Sequence, residues 1–282
     1  MEVILPEDAP HFHKKKNEKS AGGRRLPACV PVDQPFSWPM DWPLPPGPLV
    51  VASVNGPEDM RWVRSAERIA DHCDVLEWRL DGLQDVPAAE VAAALAACPL
   101  PALLAARHEG EGGFAPWPAE PARLAAAASH LAPGRILDIE ARSLQQADPS
   151  WRALAARCHN EGVALVVSLH DFDRVPATQA IADAARAALA HNASVLKVAA
   201  TARSLDEVVA LAGVFRMAAP LPVAVMAMGP FGLGSRLLFA QAGSVLNYGF
   251  LRNASVPGQW PAAELKRLVA AAGRESRSDA GS

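Results

Sequence analysis

No uninterrupted apolar run in the chain approaches the roughly 20 residues needed to cross a bilayer, so no membrane-spanning segment is expected. Met1 to Pro10 is acidic and broken by proline where a secretory signal would be basic and then apolar. Arg24-Arg25 is followed by Pro27 and Pro31 and by no apolar segment, which argues against a twin-arginine export signal. Cysteine is sparse: Cys29, Cys73, Cys98 and Cys158 include no C-x-x-C pair, and a disulfide framework needs a shorter, Cys-denser chain. Reduced thiols and a cytoplasmic location are the expectation. Neither sign of charge dominates, since 27 Lys+Arg against 30 Asp+Glu leave a net charge of -3. That balance supplies no basic field for a nucleic-acid backbone or an anionic membrane surface. Zinc-ligand spacing, an EF-hand loop and a G-x-S-x-G elbow are all missing, so metal and serine-hydrolase mechanisms lack support.

What is present begins with proline. With Pro48, the first 47 residues hold ten of the chain's 25 prolines, a density that excludes regular helices and sheet ladders. The run His11-Phe12-His13-Lys14-Lys15-Lys16 reads as solvated tail, and the apolar segment from Phe36 to Trp42 as a candidate for docking on the body. From Leu49 onward the pattern changes to short apolar β-rich runs alternating with Ala-rich stretches. Strands are predicted at Leu49 to Val54, Val75 to Leu80, Ala102 to Ala106, Arg135 to Ile139, Val163 to Leu169, Val195 to Ala199, Val223 to Met228 and Ser244 to Phe250. Helices are predicted near 58–72, 88–97, 119–131, 149–160, 177–191, 205–217, 234–242 and 261–272.

Eight strands, each followed by a helix, match a closed α/β barrel, which routinely needs about 250 residues; this chain has 282. The alternative, an open doubly wound sheet binding a dinucleotide, needs a Gly-rich phosphate turn after its first strand, where this chain has Asn55-Gly56-Pro57. The expected organisation is a Pro-rich irregular or disordered extension over 1–47, a single (β/α)8 TIM barrel over 48–274 and a disordered tail over 275–282.

Barrel enzymes build their sites at the C-terminal ends of the strands, and this is where ionisable residues concentrate here. In the second strand, Glu77 and Arg79 lie two residues apart, so both aim at one face, and are expected to form an ion pair directed at a ligand. The third strand runs into Arg107 and the loop to Gly113, which carries His108, Glu109 and Glu111. In the fifth, Ser168 and His170 share a face, with His170 at the strand end. In the sixth, Lys197 interrupts an apolar run, where desolvation disfavours the ammonium and favours a nucleophilic amine suited to forming an imine with a carbonyl. After the seventh, a Gly-rich turn leads into a helix carrying Arg236, and the next loop adds Ser255 and Gln259, so the two loops are expected to share one anion pocket. A lysine, a histidine and arginines around a cavity point to imine chemistry on an anionic ketone.

The segments Glu77-Trp78-Arg79-Leu80-Asp81, Ser168-Leu169-His170-Asp171-Phe172, Leu196-Lys197-Val198-Ala199, Gly232-Leu233-Gly234-Ser235-Arg236 and Ala254-Ser255-Val256-Pro257-Gly258-Gln259 resemble type I 3-dehydroquinate dehydratases, in order and in strand position, over roughly 49–272. The resemblance implies a lyase that converts 3-dehydroquinate to 3-dehydroshikimate with no metal or organic cofactor, in a barrel that is commonly a homodimer. It implies Lys197 as the imine-forming lysine, His170 as the proton-transfer residue and Glu111 as a carboxylate assisting it. Glu77 and Arg79 would bind ring hydroxyls, Ser53 and Arg107 would add contacts, and Arg236, Ser255 and Gln259 would hold the substrate carboxylate. Tyr248 stands where the family carries an aromatic residue near the pocket. The chain departs from the family at Pro230-Phe231, a rigid and bulky pair before Arg236, and in a shorter stretch between Lys197 and Arg236, which reads as a trimmed outer helix. Competing readings are another lysine-imine barrel, such as a class I aldolase, and a catalytically silent barrel kept for binding; a desolvated amine beside a base argues against the second.

Overall fold

A computed structural model describes residues 42–45 and 47–278 of the chain. Among them, eight parallel strands form the centre: β1 Leu49–Val54, β2 Val75–Arg79, β3 Ala102–Ala105, β4 Ile136–Glu140, β5 Ala164–Asp171, β6 Val195–Thr201, β7 Val223–Met228 and β8 Leu246–Phe250. Neighbours run β7-β6-β5-β4-β3-β2-β1-β8. The seam between β7 and β8 is bridged where Val245 N–H donates to the Val223 carbonyl at 2.9 Å. The result is the expected (β/α)8 TIM barrel, nearly closed.

Outside the strands lie α1 Pro57–Ser65, α2 Ala88–Ala97, α3 Glu120–Ser129, α4 Ala141–Gln145, α5 Ser150–Asn160, α6 Thr178–Ala190, α7 Leu205–Ala212, α8 Val214–Met217, α9 Gly232–Gln241 and α10 Ala262–Ser278. Their apolar stripes follow helical spacing: α5 buries Trp151, Leu154, Ala155 and Cys158, and α6 buries Ile181, Ala184, Ala185 and Ala188. The start of α7 is set by Ser204, whose hydroxyl accepts from Glu207 N–H at 3.2 Å, with Asp206 and Glu207 in the first turn. The helix predicted over 205–217 is broken at Gly213, whose N–H closes the end of α7 on Ala210. Helix α4, one turn packed directly after β4, has no counterpart among the predicted elements. No helix of the described residues is long and apolar enough to cross a membrane.

Strand alternation divides the apolar residues between two cores. Val50, Ala52, Leu76, Trp78, Leu104, Leu137, Ile139, Val167, Leu196, Val198 and Val225 face outward and pack under the helices. Val51, Val75, Leu103, Ile136, Val166, Val195, Ala224 and Leu246 face inward and fill the barrel. Trp42 and Leu44 join this inner cluster, so the chain entering β1 plugs the N-terminal end of the barrel. Residues 1–41 and 46 of the expected 1–47 extension, including the basic run after His11 and all of the candidate docking segment but Trp42, lie outside the described residues. At the other end α10 continues to Ser278, past the domain boundary expected at 274, and residues 279–282 lie outside the described part.

Candidate active site

Two residues further along β1, β2, β4, β5 and β6, the inward positions change character, whereas β3 and β7 continue with Ala105 and Met226. Above the apolar layer stand Ser53, Glu77, Arg79, Asp138, Glu140, Ser168, His170 and Lys197. Ser53, Glu77, Arg79, His170 and Lys197 line a cavity at the C-terminal mouth, together with Arg107, Glu111, Arg236, Tyr248, Ser255 and Gln259. Every residue that the resemblance gave a catalytic or binding role therefore borders one cavity, while Ser168, His108 and Glu109 do not.

Lys197 sits at the centre, 3% exposed. Register pairs it with Ser168 on β5 and Ala224 on β7. Its Nζ donates to Glu77 Oε1 at 3.2 Å and to Asp138 Oδ2 at 3.0 Å, and lies 4.1 Å from the centre of the Tyr248 ring. The lone amine in apolar surroundings expected from sequence is thus corrected to an amine inside a charge cluster, because alternate residues of β2 and β4 meet it across the barrel. Ser53 Oγ donates to Glu77 Oε2 at 2.7 Å. Arg107 grips Asp138 with both nitrogens, at 2.6 and 3.2 Å, and donates to Ser168 at 2.7 Å; Ser168 in turn donates to Asp138 at 2.5 Å. Burial on its own would raise the carboxyls of Glu77 and Asp138. The cations overcome it, chiefly Lys197 for Glu77 and Arg107 for Asp138, and hold both below the usual carboxylate range.

The expected Glu77–Arg79 ion pair does not form. Both side chains face inward, but Arg79 instead makes a two-pronged contact with Asp81, at 3.0 and 2.7 Å, on the turn that follows its own strand. It also donates to the Gly112 carbonyl at 2.8 Å and stacks 4.4 Å over the Phe114 ring. Asp81 further accepts from the N–H groups of Arg107 and Phe114, so it fixes the loop after β3 to the end of β2. That loop is the one that carries Glu111.

Glu111 reaches across to β5, where its Oε2 accepts from His170 N–H at 3.1 Å and lies 3.0 Å from His170 Nδ1. One tautomer satisfies both contacts: Nδ1 carries the proton, and Nε2 is left as an acceptor. Burial, then the positive charges of Arg107 and Lys197, hold the imidazole well below its ordinary range, so the ring is neutral near pH 7. Burial, then the charge of Glu140, push the Glu111 carboxyl up to about 8. The pair is an unprotonated base braced by a neutral acid.

Arg236, 1% exposed, projects from α9 beneath the last two loops. Its Nε donates to Tyr248 O at 3.0 Å, and its Nη1 to Ala227 O at 2.8 Å and Gly232 O at 3.1 Å. Burial lowers it to about 10, which leaves it charged at neutral pH. One edge of the guanidinium is committed to backbone carbonyls, and Nη2 alone has no protein partner among the described residues. The two flanking loops do meet: Gly229 N–H donates to Pro257 O at 3.0 Å, and a Cβ on Gly232 would lie 2.5 Å from Gly258 O, so this crossing admits only glycine. Gln259 Oε1 accepts from Ser255 N–H at 2.9 Å and Ser255 Oγ at 3.2 Å, which shapes the loop beside that nitrogen. Phe231 packs on the outer core rather than in the cavity, and Pro230 only starts the turn over Gly229–Phe231.

The sequence reading passed over Asp138, Glu140 and Asp81. The signal for the first two was present, because Leu137-Asp138-Ile139-Glu140 repeats the period-two pattern of Leu76-Glu77-Trp78-Arg79. Glu140 accepts from His108 N–H at 2.8 Å and pairs with the fully buried Arg123, which also holds Ser143 and Glu120. Among the described residues no group of three His, Cys, Asp or Glu is arranged to hold a metal ion.

A TIM barrel with a charged cluster recessed in its C-terminal mouth is an enzyme of the barrel class, with a lysine at the heart of its site. Residues 50–276 match the family model for type I 3-dehydroquinase, and the chain belongs to that family. It is 33% identical to a 3-dehydroquinate dehydratase of Latilactobacillus sakei over 71% of this chain and 83% of that one. With the corresponding protein of Geobacillus kaustophilus it shares 31% identity over 79% of this chain and 90% of the other. The solved 3-dehydroquinate dehydratase of Enterococcus faecalis superposes with a TM-score of 0.66 at 25% identity, over 80% of this chain and 95% of that one.

Proposed function

We propose that this enzyme dehydrates 3-dehydroquinate to 3-dehydroshikimate through an imine between the substrate's C3 carbonyl and Lys197. The observation that carries the reading is Lys197 Nζ on the cavity lining, beside a neutral histidine with a free Nε2. His170 takes the extra proton of the Lys197 ammonium, and the amine adds to the C3 carbonyl. The carbinolamine then loses its hydroxyl as water, with the proton returned by His170, and an iminium remains. The iminium withdraws electrons from C2, so His170 can remove a C2 proton and form an enamine. Collapse of the enamine expels the C1 hydroxyl, which leaves as water with the proton held by His170. Hydrolysis of the conjugated iminium releases product and restores the amine.

The remaining residues position the ring. Arg236 Nη2, with Ser255 and Gln259 beside it, takes the substrate carboxylate. Glu77 and Arg79 take ring hydroxyls, with Ser53 orienting Glu77. Arg107 holds Asp138 against Lys197, and Glu111 keeps His170 in its base-competent tautomer. Acid-base catalysis contributes about 10²–10⁴-fold, so the iminium and the fixed geometry supply much of the rest. Homodimerisation, a cytoplasmic location and a place in aromatic biosynthesis or quinate breakdown, which share this reaction, belong to the same proposal and rest on the family.

The test is incubation with 3-dehydroquinate and borohydride, followed by mass mapping. A reduced adduct on Lys197 and a rise in enone absorbance are expected. No adduct and no absorbance change would reject the reaction, and full activity in Lys197→Ala would reject the imine.

A further inference from the structure

The chain contains one tyrosine, Tyr248, and its hydroxyl is buried with no hydrogen-bond partner. An unpartnered buried hydroxyl is destabilising, so an orphan of this kind inside a charged site calls for a reason. The residue is 4% exposed on β8, its ring face lies against Lys197 Nζ at 4.1 Å, and it borders the cavity. Burial, then the charges of Glu77 and Asp138, hold the phenol well above its ordinary range, so it remains a donor at any working pH.

Counting donors through the reaction shows where this one is needed. As an ammonium, Nζ carries three hydrogens and donates to both Glu77 and Asp138. When the iminium forms, two of those hydrogens depart with the ketone oxygen as water, and Nζ keeps one. The two carboxylates then compete for a single N–H. Asp138 keeps Arg107 and Ser168 whatever Nζ does. Glu77 Oε1 has no donor other than Nζ among the described residues, since Ser53 serves Oε2. A buried carboxylate oxygen stripped of its donor opposes the step that strips it.

We propose that the Tyr248 hydroxyl is the standby donor for Glu77: unpartnered in the free enzyme, it turns to Glu77 Oε1 as the iminium forms and stabilises that state. The inference rests on the imine reading above. Tyr248 is a positioning residue, acting on Lys197 through Glu77, and its hydroxyl adds to whatever the ring face contributes. The design is uneven between states, with the hydroxyl costing stability in the resting enzyme and returning it in the intermediate.

Tyr248→Phe keeps the ring and removes only the hydroxyl. Expected are a fall in kcat of about tenfold with little change in KM, a matching fall in the rate of borohydride trapping at Lys197, and a melting temperature no lower than that of the parent. In a Glu77→Gln background the same change should lose far less, because the acceptor's charge has gone. Unchanged kcat and trapping in Tyr248→Phe, with a normal adduct in the parent, overturns the standby role alone. A drop in kcat that tracks a drop in melting temperature also overturns it, since a packing role would do that. No adduct in the parent overturns the imine reading and the standby role together.

Discussion

The lower and upper halves of the barrel interior are built by the same strands, one inward position apart, and they do opposite work. Below, Val51, Val75, Leu103, Ile136, Val195 and Leu246 fill the barrel with apolar volume. Above, Ser53, Glu77, Asp138, Ser168 and Lys197 fill it with charge and hydrogen bonds. Apolar filling stabilises by removing surface from water, whereas a buried ionic cluster of this kind contributes little net stability, since desolvation offsets most of the attraction. Stability therefore does not account for the upper layer. Its cations and anions share partners, so removing one member changes the compensation of the others.

The contrast is tested hardest by Lys197→Met, which should keep the fold by circular dichroism yet reduce kcat/KM by at least about a thousandfold. Arg107→Met comes next: it takes a buried counter-charge from both Asp138 and Glu140 and leaves Asp138 only Lys197 and Ser168, so a loss of about 3–5 kcal/mol is expected in denaturant unfolding, together with lost activity. Leu103→Ala, one layer lower and fully buried, should lose about 2–5 kcal/mol while the folded enzyme keeps a kcat close to that of the parent. A large fall in kcat there would erase the division between the halves.

Smaller and more specific is the pH response of Glu111. Its carboxyl is raised from 4.5 to about 8 in the folded protein, so the folded state binds its proton more tightly than the unfolded state. The associated stability is complete below about pH 4.5 and is lost as pH rises toward about 8. Glu111→Gln, neutral throughout, should flatten that part of a melting-temperature profile, and an unchanged slope would assign it to another group. At the low end, Arg157→Ala on the exposed face of α5 breaks only a surface pair with Glu161 at 2.7 Å. It should leave the unfolding midpoint within measurement error of the parent's.

Much of this was legible in the chain itself. Strand positions came from apolar runs that need no partner to be recognised, and inward-facing Glu77 and Lys197 followed from a period of two. Pairing was not legible. Glu77 meets Lys197 120 residues away, and Asp138 meets Arg107 31 residues away and Lys197 59 away, across a barrel whose closure no local pattern specifies. Arg79 and Glu77 looked like partners because they are close in sequence. Side chains two apart on a strand stand some 6–7 Å apart, and Asp81 on the next turn reaches the guanidinium first.

The amino-acid sequence by itself determined the alternation of strand and helix, the face on which each ionisable side chain lies and the set of residues at the C-terminal mouth, because these depend on local geometry and on which groups water will accept. Only the tertiary structure decided that Lys197 is shared by two carboxylates, that Arg236 keeps one nitrogen without a protein partner among the described residues and that the hydroxyl of Tyr248 is left without a partner. These depend on distances across a closed barrel, where each charge takes the counter-charge that eight strands bring nearest.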